Sequence, residues 1–98
     1  MNKVWKSFER TVSKFFGTTR NPLSGGNSKH TQSDTLHPNL YIECKYRKKS
    51  SLSTLFKDTR MKAIKEGKTP IVCTKQKGEP GFLITIHNDD FNKIVNNG

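Results

Sequence analysis

Residues 33–45 constrain the fold more than any other stretch, because they admit few local structures. In the sequence Leu40-Tyr41-Ile42-Glu43-Cys44-Lys45, apolar Leu40, Ile42 and Cys44 alternate with Tyr41, Glu43 and Lys45. Alternation of period two is the mark of a strand with one face toward a core. Upstream, His37-Pro38-Asn39 carries turn chemistry, since proline presets its own φ and Asn tolerates the left-handed region. The stretch is therefore expected to be a strand ending in Asp34, a turn, and a second strand carrying Glu43 and Lys45. A connection of two or four residues through Pro38-Asn39 pairs even positions of the first strand with odd positions of the second. That register places Asp34 on the face of Glu43 and Lys45, and a one-residue slip would separate them.

Two carboxylates and one ammonium on one patch suit hydrolysis of a phosphodiester with a divalent cation. Hard cations such as Mg2+ take oxygen ligands, commonly one or two carboxylates with water and substrate phosphate. Asp34 and Glu43 supply the carboxylates, and the Cys44 backbone carbonyl adds a third oxygen. Lys45 is placed to hold the attacking water or to offset charge building on the phosphate. The plain alternative is a Glu43–Lys45 salt bridge on a solvated strand face. Against it stands Asp34, a residue type disfavoured in strands, where the pattern turns apolar.

At these positions the sequence resembles the PD-(D/E)XK nucleases, with Asp34 and Glu43-Cys44-Lys45 as the D…ExK signature. Within them it is most similar to archaeal-type Holliday junction resolvases and their phage-encoded relatives. Those proteins show, in order, a helical Glu, an Arg followed by a Ser-Gly loop, an Asp and Glu-x-Lys. The matching positions here are Glu9, Arg20, Ser24-Gly25, Asp34 and Glu43-Cys44-Lys45. Ser33 departs from the Pro or apolar residue that many members carry before the Asp. The resemblance implies a restriction-endonuclease-like core and catalytic roles for Glu9, Arg20, Ser24, Asp34, Glu43 and Lys45. It implies Mg2+, replaceable by Mn2+, on Asp34, Glu43 and the Cys44 carbonyl, with Glu9 reaching the metal directly or through water.

A chain of 98 residues with formal net charge +10 allows one small domain, residues 1–98, with a thin core that a partner subunit would help. That excess of positive charge points first to nucleic acid and second to an anionic membrane surface. No apolar run approaches the ~20 residues of a membrane span. Residues 4–16 are too often interrupted by charge for a signal peptide, so a cytoplasmic, non-secreted protein is expected. Cys44 and Cys73 lack metal-ligand spacing and are expected to be reduced core residues.

In chain order, residues 2–16 are predicted to be an amphipathic helix. Val4, Trp5, Phe8, Val12, Phe15 and Phe16 form its apolar stripe, and Gly17 ends it. Glu9 lies at the edge of the stripe, where it faces either the sheet or a neighbouring Lys6, Arg10 or Lys14. Residues 18–29 form a polar loop in which Arg20 offers a planar fork for phosphate. Ser24 with the Gly25 and Gly26 amides could grip a phosphodiester oxygen, and residues 18–24 offer room for a further short strand.

Lys29, the run Arg47-Lys48-Lys49, and Lys57 and Arg60 are candidate DNA contacts. A second helix, capped by Ser50 or Ser51 and ending near Glu66, buries Leu52, Leu55, Phe56, Thr59 and Ala63 and turns Lys57, Arg60, Lys62 and Lys65 outward. Residues 69–75 and 81–87 are predicted strands, covered on both faces. Asp89 or Asp90 is expected to cap a last helix bearing Phe91, Ile94 and Val95.

The whole reads as an α/β chain, a mixed central sheet flanked by helices in the order α-β-β-α-β-β-α. The expected activity is that of a Mg2+-dependent DNA endonuclease, a resolvase of branched DNA acting as a homodimer through its C-terminal elements. A nicking, homing-type or repair endonuclease would share the site, and a basic nucleic-acid-binding protein would share the charge without the chemistry.

Overall fold

The computed structural model describes residues 3–22, 31–46 and 51–96. Its elements are α1 (Lys3–Phe15), β1 (Leu40–Tyr46), α2 (Leu52–Glu66), β2 (Thr69–Lys75), β3 (Leu83–Thr85) and α3 (Asn88–Asn96). The three strands form one mixed sheet in the order β1-β2-β3, with β1 parallel to β2 and β3 antiparallel to β2. Parallel neighbours need a long crossover, and α2 supplies it.

Both long helices stop where the sequence says they should. Gly17 and Gly67 lie in the left-handed region at φ 71° and 67°. The amides of Thr18 and Lys68 reach back to the carbonyls of Ser13 and Ala63 at 2.8 and 2.9 Å, closing two Schellman ends. At the start of α2, the Ser51 side chain accepts the Thr54 amide. α3 corrects an expectation: its first turn is held by His87. The His87 carbonyl accepts the Asp90 and Phe91 amides, and its ring Nδ1 accepts that of Asp89. Asp89 and Asp90 thus sit inside the first turn, favourable to the helix dipole, and do not cap it.

The register Ile42↔Ile71 and Cys44↔Cys73 stacks the even positions of β1 on one face of the sheet. Phe8 and Val12 of α1 close over them, making the core Phe8, Val12, Ile42, Cys44, Ile71 and Cys73. Both cysteines are free thiols in that core, and burial pushes each thiol up from its ordinary range. α2 packs on β2 and β1 and buries Thr59 and Ala63.

The predicted first strand does not form. Residues 31–39 are irregular, and only an antiparallel bridge, Arg20↔Thr35, remains of it. The observed order is α-β-α-β-β-α. The physical reason lies in side chains that take over the ladder's hydrogen bonds, described below. Of the strand expected in 18–24, residues 18–22 are described and show only this bridge and the Leu36 amide on the Thr19 carbonyl at 2.9 Å; residues 23 and 24 lie outside the described residues.

Much apolar surface stays open. β2 is buried from Pro70 to Cys73, as expected of a covered strand, but Leu83 and Ile84 of β3 are 72% and 42% exposed. On α3, Phe91, Ile94 and Val95 are all exposed as well. On α1 only Phe8 and Val12 of the stripe are buried, while Val4, Trp5 and Phe15 remain accessible. Among the described residues no helix is long and apolar enough to cross a membrane.

Candidate active site at the free edge of the sheet

β1 is an end strand, and its edge away from β2 is covered by residues 33–35. Ser33, fully buried, does the work of a paired backbone. Its hydroxyl accepts the Ile42 amide at 2.9 Å and donates to the Ile42 carbonyl at 3.1 Å. Asp34 then continues along the same edge. Its amide donates to the Ile42 carbonyl at 2.9 Å, and its carboxylate Oδ2 accepts the Cys44 amide at 2.7 Å. Side chains that bond directly to strand backbone groups compete with a regular ladder, which is why no hairpin forms here.

Asn21 fixes this segment from the other side. Its amide donates to the Asp34 carbonyl at 2.9 Å, and its side-chain Nδ2 donates to the carbonyls of Thr31 and Ser33 at 3.2 and 2.9 Å. Glu66, at the end of α2, holds the start of the segment through the Thr31 hydroxyl and the Gln32 amide. Burial alone would raise the Glu66 carboxyl, but these bonds and Lys68 bring it below its ordinary value.

Asp34 therefore meets Glu43 by a different route from the expected one. The strand-face rule does not govern it, because its side chain is tied to the strand edge at Cys44. The electrostatic neighbourhood is nevertheless the expected one. Burial, then Glu43, and more weakly Glu9 push the Asp34 carboxyl up to about 8, against the Cys44 amide and Lys45, which work to lower it. The Glu43 carboxyl is also raised, chiefly by burial; Lys45 and Lys62 oppose the shift. Lys45 Nζ stands 3.4 Å from Glu43 Oε2, so the plain salt bridge is present and is part of the cluster.

Glu9, 1% exposed, is the most deeply buried of the three carboxylates. It is ion-paired to Arg20, Nε to Oε1 at 2.6 Å. The Arg20 guanidinium also lies 5.8 Å from the centre of the Trp5 ring, a cation–π arrangement. Arg20 is thus fixed between α1 and the edge segment. Among the described residues no group of three His, Cys, Asp or Glu side chains is close enough to hold a metal ion. Asp34 and Glu43 are the two carboxylates with raised carboxyls, and Glu43 lies in the field that raises Asp34.

Of the other expected contacts, Lys57 and Arg60 are exposed on α2. Ser24, Lys29, Arg47, Lys48 and Lys49 lie outside the described residues. Sequence reasoning missed Ser33, Asn21 and Lys62. Ser33 carried a signal, as a polar residue in the position before Asp34. Lys62, read as one of several outward lysines, pairs with Asp58 at 3.3 Å and is the α2 amine whose field reaches Glu43. Tyr41 was also missed: it is fully buried and its hydroxyl has no hydrogen-bond partner among the described residues.

No known protein family, curated protein or solved structure matches the chain.

Proposed function

We propose that the chain is a divalent-metal-dependent DNA endonuclease of the restriction-endonuclease-like type, acting on branched DNA. One observation carries the reading: buried Asp34, tied to the strand edge at Cys44, lies in the field of partly buried Glu43, which Lys45 pairs at 3.4 Å. A crowd of acids costs stability unless something positive balances it. The donor set fits a hard cation. Asp34 Oδ2 is held by Cys44, and its second oxygen has no partner among the described residues, so it is available as a ligand together with Glu43 and the Cys44 carbonyl. When bound there, Mg2+ or Mn2+ supplies Lewis-acid stabilisation of the phosphate and a more acidic water.

The protein's own groups divide the remaining tasks. Cys44 orients Asp34 through its amide. Lys45 places positive charge beside Glu43, where it can hold the attacking water or offset charge on the scissile phosphate. Lys62, bridged to Asp58, adds positive field at Glu43 from the α2 side. Glu9 adds weak negative field at Asp34 while its pair with Arg20 keeps the edge segment in place, so Glu9 acts on the site from one layer out. Lys57 and Arg60 belong to the phosphate-contacting surface, and binding of this kind weakens steeply with salt. Cutting a four-way junction symmetrically requires two sites, and the exposed apolar groups of β3 and α3 offer a self-complementary contact.

The test is direct. Four-way junction, nicked, flap and linear duplex DNA are incubated with Mg2+, Mn2+ or EDTA, using wild type and the E43Q variant. The expected result is metal-dependent cutting of branched DNA by wild type only, with DNA affinity retained in E43Q. Wild-type protein that binds DNA but leaves all four substrates intact with either metal would instead establish the second reading, a non-catalytic binder. That reading draws on the absence of a three-residue metal group among the described residues.

A further inference from the structure

At the sheet edge opposite Asp34, α2 and β3 enclose a groove of about 410 Å3 lined by Phe56, Lys57, Arg60 and His87, with Ser53 and Thr85. Its two cations, like several others on the surface, are not ion-paired among the described residues. Lys45, Lys62, Lys68 and Lys93 each have a carboxylate within 4 Å, whereas Lys57 and Arg60 have no acidic partner among the described residues. One turn apart on the helix, they stand side by side. The first turn of α2, which reaches the groove at Ser53, has no acidic residue. On the far side of the groove, Asp89 Oδ2 lies 3.6 Å from His87 Nδ1. Because Nδ1 accepts the Asp89 amide, a neutral His87 carries its proton on Nε2 and is a donor there.

Phe56 adds something a general phosphate surface lacks. Its ring is partly buried yet lines the groove, next to the two cations in sequence and space. A duplex presents phosphates to such a surface but keeps its base faces stacked inside. An unpaired strand presents both, and aromatic faces combined with backbone cations are the means by which single strands are held without sequence preference. We propose that this groove binds an unpaired DNA strand, with Lys57 and Arg60 on its phosphates, His87 as an added donor, and Phe56 stacking on a base. The inference rests on the nuclease reading for its setting and refines the substrate: branched DNA with a single-stranded arm that extends from the Asp34 edge across to β3.

Binding is measured by fluorescence anisotropy in EDTA, so that no cleavage is involved, on oligothymidylate of about 16 nucleotides and on a blunt duplex. Three variants are compared with wild type: K57A/R60A, F56L and F56Y. The double variant is expected to lose tenfold or more in oligothymidylate affinity. Its log–log salt slope should fall by about 1.4, the share of two phosphate contacts on a single strand. F56L should lose about fivefold or more on oligothymidylate, leave duplex affinity and salt slope unchanged, and be rescued by F56Y.

Equal losses on both DNAs for the double variant, or none, would overturn the proposal, as would F56L binding oligothymidylate like wild type. If F56L fails to fold, the single-strand to duplex ratio of the double variant decides alone. The nuclease reading fails separately. A chain that cuts nothing but shows these binding changes keeps the groove and loses the enzyme, while a metal-dependent nuclease with none of them keeps the enzyme and loses the groove.

Discussion

The carboxylate of Asp34 accepts the backbone amide of Cys44 at 2.7 Å, so an acid is held against the edge of the strand that also carries Glu43. Burial and Glu43 lift its pKa from 3.8 to about 8. Between those values the folded chain keeps a proton that the unfolded chain has released, so stability should fall as pH rises through this window and level off above it. Glu43, also raised, acts in the same sense, while Glu66, lowered, acts oppositely at acid pH. The difference between wild type and Asp34→Asn isolates Asp34. The variant is expected to be more stable at pH 8 by about 2 kcal/mol, with the gap closing toward pH 4. Mg2+ at pH 8 should raise the melting temperature of wild type and not of the variant. Urea unfolding across pH and thermal melts check both. A gap that does not vary with pH, with no response to Mg2+, would show that the acids do not crowd.

Ser33 offers a second prediction, because one hydroxyl serves both polar groups of Ile42. Ser33→Ala leaves the buried Ile42 amide without its acceptor, which should cost about 2 kcal/mol in urea unfolding. It should also lower cleavage more than DNA affinity, since Asp34 is the next residue along the edge. Wild-type stability in this variant would mean that Ser33 does not replace the missing ladder.

The Glu9–Arg20 pair predicts an asymmetry. With side chains 2% and 17% exposed, removing Arg20 strands a buried carboxylate, and Arg20→Ala should cost about 3 kcal/mol or more. Glu9→Gln keeps a hydrogen-bonding partner for the guanidinium and should cost less. In the double variant Glu9→Gln/Arg20→Ala the loss should be smaller than the two single losses added together. Additive losses in denaturant would mean that the two side chains stabilise the fold independently.

What was legible in the sequence follows from where local rules suffice. The α1 and α2 boundaries were readable because Gly17, Ser51 and Gly67 act within a few residues of themselves. β1 and β2 were readable because alternation and continuous apolarity are properties of single strands. The segment around Asp34 was not, because its conformation is set by long-range side-chain bonds from Asn21, Ser33 and Glu66 that no periodicity reports. Asp34 was expected beside Glu43 and Lys45 through a hairpin register; that register is absent, and Asp34 is instead held by a strand-edge hydrogen bond to Cys44 within the field of both residues. The identity of the supporting amine, Lys62, depended on the rotation of α2 over the sheet, which its evenly spread lysines leave undetermined.

The C-terminal surface carries the last prediction. β3 is three residues long, lies at the end of the sheet, and exposes 72% of Leu83. Phe91, 52% exposed, Ile94 and Val95 project from α3 nearby in sequence. An open strand edge beside apolar side chains invites pairing with a like edge, and a two-fold contact lets the same residues serve both partners. The chain is therefore expected to be a dimer by light scattering at micromolar concentration. Leu83→Lys combined with Phe91→Glu should give a monomer with unchanged circular dichroism, since neither side chain belongs to the buried core. Because the Asp34 edge lies at the other end of the sheet, that monomer should still nick DNA in the presence of Mg2+. It should lose paired cutting of a four-way junction, which needs two sites held at a fixed spacing. A wild-type monomer at micromolar concentration would remove the dimer, and paired cutting by the double variant would remove its role.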